Sequence, residues 1–521
     1  MKKTPDPFLD SVSDYVASAS NHRVAGRGIH SELFLMSPLR AFCLAVVVSL
    51  AADGVARADV KLPSVIGDHM VLQQGHELPF WGWAEPAEQV SVTVAGKMVT
   101  ATTAADGRWS LRHPAVTKFG PVEVTVAGKN TIVLKDVLVG DVWICSGQSN
   151  MQWRVQETSG SKEEIAAAAL PGIRLFQVER QTALEPQSDV EGHWIECSPD
   201  SVGDFSAVGY FFGKELHARL NNRPMGLIEA AYGGCGAESW VSEATLKADP
   251  IYAQILEKTA AANRDPSQAN TPNRATVLYN GVIAPLQPFA IKGTIWYQGE
   301  QNAARAHQYR TLFPALIKDW RRTWGQGDFP FLFVQLPNYI PDKTKPDHPA
   351  EPESSAWAEL RDAQRHALLT PNTGMAVTID LGDPRDIHPT NKQDVGRRLA
   401  RQALSVAYGQ AILASGPHYR SMSIVGDEVH LQFQHVGGGL VARGDELKGF
   451  SIAGADQKFV WGKASIVGGK VVVTSDQVPQ PVAVRYAWAD NPDCNLYNKD
   501  GFPASPFRTD DWPGVTFNVQ R

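Results

Sequence analysis

Four short segments carry residue types whose spacing could do chemistry. The first is Cys145-Ser146-Gly147-Gln148-Ser149-Asn150-Met151. It follows an apolar run, Val142 to Cys145, that reads as a buried strand. A serine on a sharp turn after a strand projects its hydroxyl from the sheet edge, with backbone N–H groups beside it for an oxyanion. The segment is not Gly-x-Ser-x-Gly, so the nucleophile elbow of the α/β-hydrolases does not apply. The second is Asp383-Pro384-Arg385-Asp386-Ile387-His388-Pro389. A histidine with a near-neighbour carboxylate can act as general base, held in one tautomer by the acid. The third, Tyr232-Gly233-Gly234-Cys235-Gly236, has glycines that let a ligand approach the backbone closely. The fourth, Trp296-Tyr297-Gln298-Gly299-Glu300, offers the Gln298 amide to an oxyanion. Each has a bland reading as a turn. Four polar or glycine-rich loops at four strand ends in one domain are harder to dismiss as turns.

The elements that must position them alternate. Val142–Cys145, Gly226–Ala231, Gly293–Tyr297, 329–335 and 375–380 read as buried strands. The stretches 205–220, 309–324, 355–369 and 392–408 read as helices. Strand and helix in alternation predict a parallel sheet covered on both faces. Chemistry in such sheets lies at the carboxyl ends of the strands. Residues 140–409 are therefore expected to form an α/β catalytic domain. Residues 60–139 alternate apolar and polar with period two around Ala95-Gly96 and Ala127-Gly128, which predicts a small N-terminal β-sandwich. The β pattern returns in 410–521, a C-terminal β-rich domain. One domain or two for the flanking β segments stays open.

The chain has 521 residues, 43% hydrophobic and 20% charged, which excludes a mostly disordered protein. Its net charge of −6 offers nothing to a polyanion, so a nucleic-acid partner is not expected. Five cysteines cannot make a disulfide scaffold. No cluster has metal-ligand spacing, and neither a metal nor another cofactor is expected. The run Ala41 to Ala52 follows Arg40 and precedes Ala56-Arg57-Ala58, the order of a secretory signal. We expect the signal to span 36–58, starting at Met36 and cleaved after Ala58, with residues 1–35 a gene-model artefact or an unstructured extension. That places the enzyme in the periplasm or outside the cell. The apolar run is too short for stable membrane insertion.

Taken in order, Gly147-Gln148-Ser149-Asn150-Met151, Gly233-Gly234, Tyr297-Gln298-Gly299-Glu300 and Asp386-Ile387-His388-Pro389 resemble the four blocks of the SGNH hydrolases, and within them the sialate O-acetylesterase family. Tyr279-Asn280-Gly281, Leu360-Arg361-Asp362-Ala363-Gln364, Asn391-Lys392 and Gly501 to Arg508 fit the same family. The resemblance implies an SGNH-type, flavodoxin-like three-layer α/β/α domain with flanking β-sandwich segments. It implies release of acetate from an acetylated oligosaccharide or polysaccharide through an acyl-enzyme. Ser149 would be the nucleophile and His388 the base. The N–H groups of Ser149 and Gly234 (or Gly233), with Gln298, would form the oxyanion hole. Gln148, Asn150, Glu300, Asn280, Arg361 and Asp383 are further candidates for substrate contact or support. The family pattern spaces acid and histidine as Asp-x-x-His, whereas here Arg385 fills that place and Asp386 lies two residues before His388. Asp386 is the first choice for third member, Asp383 the second, and a Ser–His dyad steadied by a backbone carbonyl the third. The substrate reads as hemicellulose (xylan or xyloglucan) ahead of O-acetylated sialic acid. A non-catalytic, ancillary carbohydrate-binding role is the alternative, and a Cys235 thiol nucleophile is disfavoured.

Overall fold

The computed structural model describes residues 59–268 and 271–519. The expected signal segment and the residues before it lie outside the described residues. The central sheet contains β1 (Thr131–Gly147), β2 (Leu170–Gln177), β3 (Trp194–Cys197), β4 (Met225–Ala231), β5 (Gly293–Tyr297), β6 (Phe331–Val334) and β7 (Thr373–Ala376). Their spatial order is β7-β6-β5-β1-β4-β2-β3. Every pairing is parallel except that of β3 with β2.

Parallel strands need both faces covered, and the side-chain parity shows how. Trp143 of β1 meets Phe212 of α1 (Ala207–Arg219) edge-on, centroids 5.0 Å apart. Trp296 of β5 stands in register with Ser146, hence on the opposite face. There it packs on Phe313 and Trp320 of α2 (Ala306–Trp324). Helix α3 (Ala356–His366) packs on α2, and α4 (Lys392–Val406) packs on α1. The result is a mixed α/β structure with a mostly parallel sheet between two helix pairs.

The strands β2 and β3 carry too little periodicity to be read in advance. The expected strand 375–380 is shorter and shifted, Thr373–Ala376, because residues 377–380 turn toward the histidine loop.

Strand β1 is 17 residues long. Its first half pairs with Gly120–Ala127, and its second half is the centre of the catalytic sheet. The expected division at 139/140 thus falls inside one continuous strand. The N-terminal strands share one hydrophobic core with the central sheet. The C-terminal strands enclose a core of their own around Val429, Leu431, Phe450, Val471, Val484 and Phe507. Among the described residues, no helix is long and apolar enough to cross a membrane.

The chain leaves β1 toward β2, β3 and β4 on one side, then crosses to β5 on the other. The carboxyl end of β1 is therefore the topological switch point, where a crevice opens between diverging connections.

Candidate active site

Three of the four sequence segments follow the carboxyl ends of the adjacent strands β4, β1 and β5. Gly147 ends β1 with φ 139°. A Cβ there would lie 2.1 Å from the Tyr297 carbonyl oxygen, so only glycine allows the two strand ends to close up. The chain then turns into the short helical segment Ser149–Gln152. The Gln148 N–H donates to the Tyr297 carbonyl (2.9 Å), which ties the nucleophile turn to β5.

The decisive contact joins residues 239 positions apart. His388 Nε2 lies 2.8 Å from Ser149 Oγ. His388 sits in the loop between β7 and α4, with its ring stacked on Trp153 at 4.9 Å and 18°. Burial lowers its pKa below the ordinary histidine value, and the Lys392 ammonium lowers it further, against Asp386 and Glu157. The imidazole is thus neutral near pH 7, the form that accepts a proton. Sequence reasoning missed Trp153. Its position four residues after Ser149 is the signal that could have found it.

Asp386 is beside the ring but not hydrogen-bonded to it. Its Oδ1 is 3.9 Å from His388 Nδ1 and accepts the His388 backbone N–H at 2.9 Å. Asp383 accepts the N–H groups of Arg385 and Asp386, so it shapes the loop and does not reach the ring. Gly233 abuts Ser149: a Cβ there would lie 3.5 Å from Ser149 Cβ. Its N–H donates to Gln152 Oε1 (2.9 Å). Gly234 has φ 69° and open space where a side chain would start.

The expected oxyanion role of Gln298 is not met. The side chain is completely buried and its Nε2 donates to the Cys235 carbonyl (3.2 Å) and Asn302 Oδ1 (2.6 Å). Those acceptors belong to a buried network in which Asn302 and Arg305 both donate to Glu238. The amide is drawn under the sheet edge by acceptors that water cannot replace.

Asn150, Glu300 and Gln148 form the layer beneath Ser149. Asn150 Nδ2 donates to Glu300 Oε1 (2.6 Å) and to the Ile387 carbonyl (2.9 Å). Its Oδ1 accepts from Lys392 Nζ (2.5 Å). One amide therefore holds the nucleophile turn, the β5 turn and the backbone next to His388. Burial depresses the Lys392 ammonium to about 7 and raises the Glu300 carboxyl. Gln148 Oε1 faces the N–H groups of Gly299 and Gln301, each at 3.4 Å. Two candidates lie elsewhere. Asn280 donates to the carbonyls of Ala183 and Leu184. Arg361 is buried among the carbonyls of Leu336, Pro337, Ala489 and Asp490, locking the C-terminal loop onto the catalytic sheet. Both are architectural, because a fully engaged buried donor has nothing left for a substrate.

All four cysteines among the described residues are free. Burial pushes the Cys235 thiol far up, and Trp240 Nε1 donates to its sulfur, so it supplies no thiolate.

Ser149 and His388 open into a cleft of about 530 Å³ walled by Gln152, Trp153, Arg154, Glu157, Arg180 and Glu229. A serine hydroxyl in hydrogen-bond contact with an imidazole, both lining a polar cleft, is an arrangement able to perform nucleophilic hydrolysis.

The sequence profile of the family described as carbohydrate esterase, sialic acid-specific acetylesterase, matches residues 139–405. Mouse sialate O-acetylesterase is 32% identical over 538 residues, covering 91% of this chain and 98% of the mouse protein. The chain belongs to this family. The human sialate O-acetylesterase gives 32% identity over 535 residues, covering 94% of this chain and all of the human one. The crystal structure of a carbohydrate acetylesterase from Xanthomonas citri superposes with TM-score 0.78 at 42% identity, covering 87% of this chain and 100% of that one. As a member of the carbohydrate esterase family, the chain is a carboxylic-ester hydrolase of acetylated carbohydrates.

Proposed function

We propose that this carbohydrate O-acetylesterase works through an acyl-enzyme in which Ser149 is the nucleophile and His388 the base. The 2.8 Å contact between Oγ and Nε2 carries the reading. His388 takes the hydroxyl proton as Oγ attacks the acetyl carbonyl. The oxyanion is met by the N–H groups of Ser149, which opens a helical turn, and of Gly234. Collapse breaks the ester C–O bond, and His388 gives its proton to the departing sugar oxygen. Water repeats the sequence and releases acetate. The enzyme is exported and acts on polymers or oligosaccharides outside the cytoplasm.

The substrate we favour is a neutral acetylated hemicellulose. Glu157, Glu179 and Asp204 line the cleft, and Arg154 is already paired with Glu157 and Asp204. A sugar carboxylate meets repulsion there. Arg180 favours the second reading, O-acetylated sialic acid: it lines the cleft and has no carboxylate at ion-pair distance among the described residues. Acetate release measured side by side on acetylated xylan, acetylated xyloglucan oligosaccharides and 9-O-acetyl sialic acid separates them. Ser149→Ala should lose at least about 10³-fold in kcat on whichever is turned over. Near-normal turnover by that variant removes the mechanism.

A further inference from the structure

The chain has 14 tryptophans, all among the described residues, and Trp461 alone is exposed, at 40%. The others lie in cores or are half-covered. An exposed indole costs apolar hydration with no return from folding, so a single exception calls for a reason. Trp461 also lines a cleft of about 810 Å³, larger than the one over Ser149 and sharing no residue with it. The volume lies within the rough range of 300–1,000 Å³ typical of small-ligand sites.

The cleft is built on the C-terminal strands. Trp461 ends the strand Phe459–Trp461, which pairs with Phe450–Ala453. Its ring is fixed, because Nε1 donates to the Ala350 carbonyl at 2.7 Å. The indole therefore offers a face while its polar edge is already satisfied. Trp488 lines the same cleft, with Asp445, Glu446, Lys448 and Lys463, the last paired with Asp476 at 3.0 Å. Lys448 is neutralised by Asp493 at 2.9 Å. An aromatic face with hydroxyl-bonding carboxylates around it suits a neutral pyranose chain, whose C–H face stacks and whose equatorial hydroxyls donate. It does not suit an anion, because Asp445 and Glu446 add negative charge.

The segment that holds the Trp461 ring through Ala350 lines the same cleft with His348 and Pro349. Asp347, one residue earlier, is bound by the Arg385 guanidinium at 3.0 and 2.5 Å. Arg385 belongs to the loop that carries His388. The cleft and the catalytic loop thus share one buttress.

We propose that this cleft is a second glycan-binding site, which holds the neutral backbone of a polysaccharide while Ser149 works on an acetyl group. The ligand class rests on the carbohydrate reading of the active site. The site itself does not depend on Ser149 being the nucleophile.

The test uses unacetylated xylohexaose and a xyloglucan heptasaccharide as probes, with the Ser149→Ala protein and calorimetric titration. Sialyllactose is the charged control. At least one neutral probe should bind. Adding Trp461→Ala should weaken it about 10- to 30-fold, the scale of a hot-spot aromatic. Adding Trp461→Phe should keep it within about threefold, since the ring remains and only the Nε1 hydrogen bond is lost. In the otherwise native enzyme, Trp461→Ala should raise KM for acetylated polymer and leave p-nitrophenyl acetate turnover unchanged. The proposal is overturned if neither neutral probe binds, if Trp461→Ala binds like its parent, or if sialyllactose binds as well as the neutral probes. Equal loss in the Phe and Ala variants, or loss of p-nitrophenyl acetate turnover, would also overturn it by assigning Trp461 to loop support. Full hydrolysis by Ser149→Ala alone would sink the acyl-enzyme mechanism while leaving the binding comparison intact.

Discussion

Asp386 Oδ1 stands 3.9 Å from His388 Nδ1 and spends its hydrogen bond on the His388 backbone N–H instead. The carboxylate is 60% exposed, so solvent screens its pull on the ring. It still raises the His388 pKa, against the larger effects of burial and Lys392. The histidine is oriented mainly by Ser149 Oγ, the Trp153 ring and the backbone held by Asn150.

Asp386→Asn therefore should not behave like loss of a triad acid, which costs about 10⁴ in kcat. The asparagine Oδ1 can still accept the His388 N–H, so the loop keeps its turn. We expect a loss of roughly tenfold or less, below the 10²- to 10⁴-fold that a general acid–base group typically contributes. Removing the negative charge lowers the His388 pKa, so the acid limb of kcat/KM moves to lower pH. A pH–rate profile checks both. A loss near 10⁴ would mean that Asp386 swings onto Nδ1 during turnover.

Lys392→Met should move that limb the other way. The ammonium lowers the His388 pKa, and removing it lets the value rise. Neutral imidazole then requires a higher pH, so activity falls first at the acid end. Asn150 Oδ1 also loses its donor, and Glu300 loses its nearby cation. Breaking a buried charged arrangement from one side costs about 3 kcal/mol or more, visible as a lower Tm. An acid limb that stays in place would show that Lys392 acts on the fold alone.

The sequence was most legible where local geometry and chemistry coincide. Gly147, Ser149, Gly233 and His388 sit at strand ends or in the loops that follow them, and the structure brings them together. Gly293–Tyr297 has the predicted bounds because a short β-branched and aromatic run between polar turns has few alternatives. Strand Thr131–Gly147 was only half seen, since its first half alternates for a two-sided sheet and its second half is uniformly buried. Gln298 was misplaced for a different reason. A glutamine at a strand end can face the substrate or the core, and the choice was made by Asn302 and Cys235, whose positions depend on tertiary packing. Arg361 and Asn280 matched family strings, yet such strings also mark the residues that hold the architecture.

Gln298→Ala follows from that placement. Cutting the amide leaves Asn302 Oδ1 and the Cys235 carbonyl short of a donor and opens a buried space. A cost of about 2–4 kcal/mol is expected in unfolding experiments. Among molecules still folded, kcat should fall by less than the 10²- to 10³-fold typical of one oxyanion donor. Tm and kcat measured on the same preparation separate the two. A normal Tm with a 10²-fold or greater loss of kcat would return Gln298 to the oxyanion hole.

Glu229 sets the last prediction. It lies buried on β4 in the wall of the catalytic cleft, and its Oε2 accepts the Ser206 N–H at 2.9 Å. Burial raises its carboxyl from the ordinary value to about 8, only partly offset by the Ser206 hydrogen bond and the Arg180 charge. The folded state thus holds this proton more tightly than the unfolded chain does. The stabilisation is fully present below the ordinary carboxylate pKa of about 4.5 and is lost as pH rises through about 8. Glu229→Gln keeps the shape and an oxygen for Ser206 but cannot ionise. Its Tm should match the parent near pH 5 and exceed it progressively toward pH 8.5. The same ionisation puts a negative charge in the wall of the cleft that Ser149 and His388 line, so parent activity should decline at alkaline pH and the variant's should hold. Thermal unfolding and kcat across pH 5 to 9 read both effects. Parallel Tm curves for the two proteins would show that Glu229 is already ionised in the folded state at neutral pH.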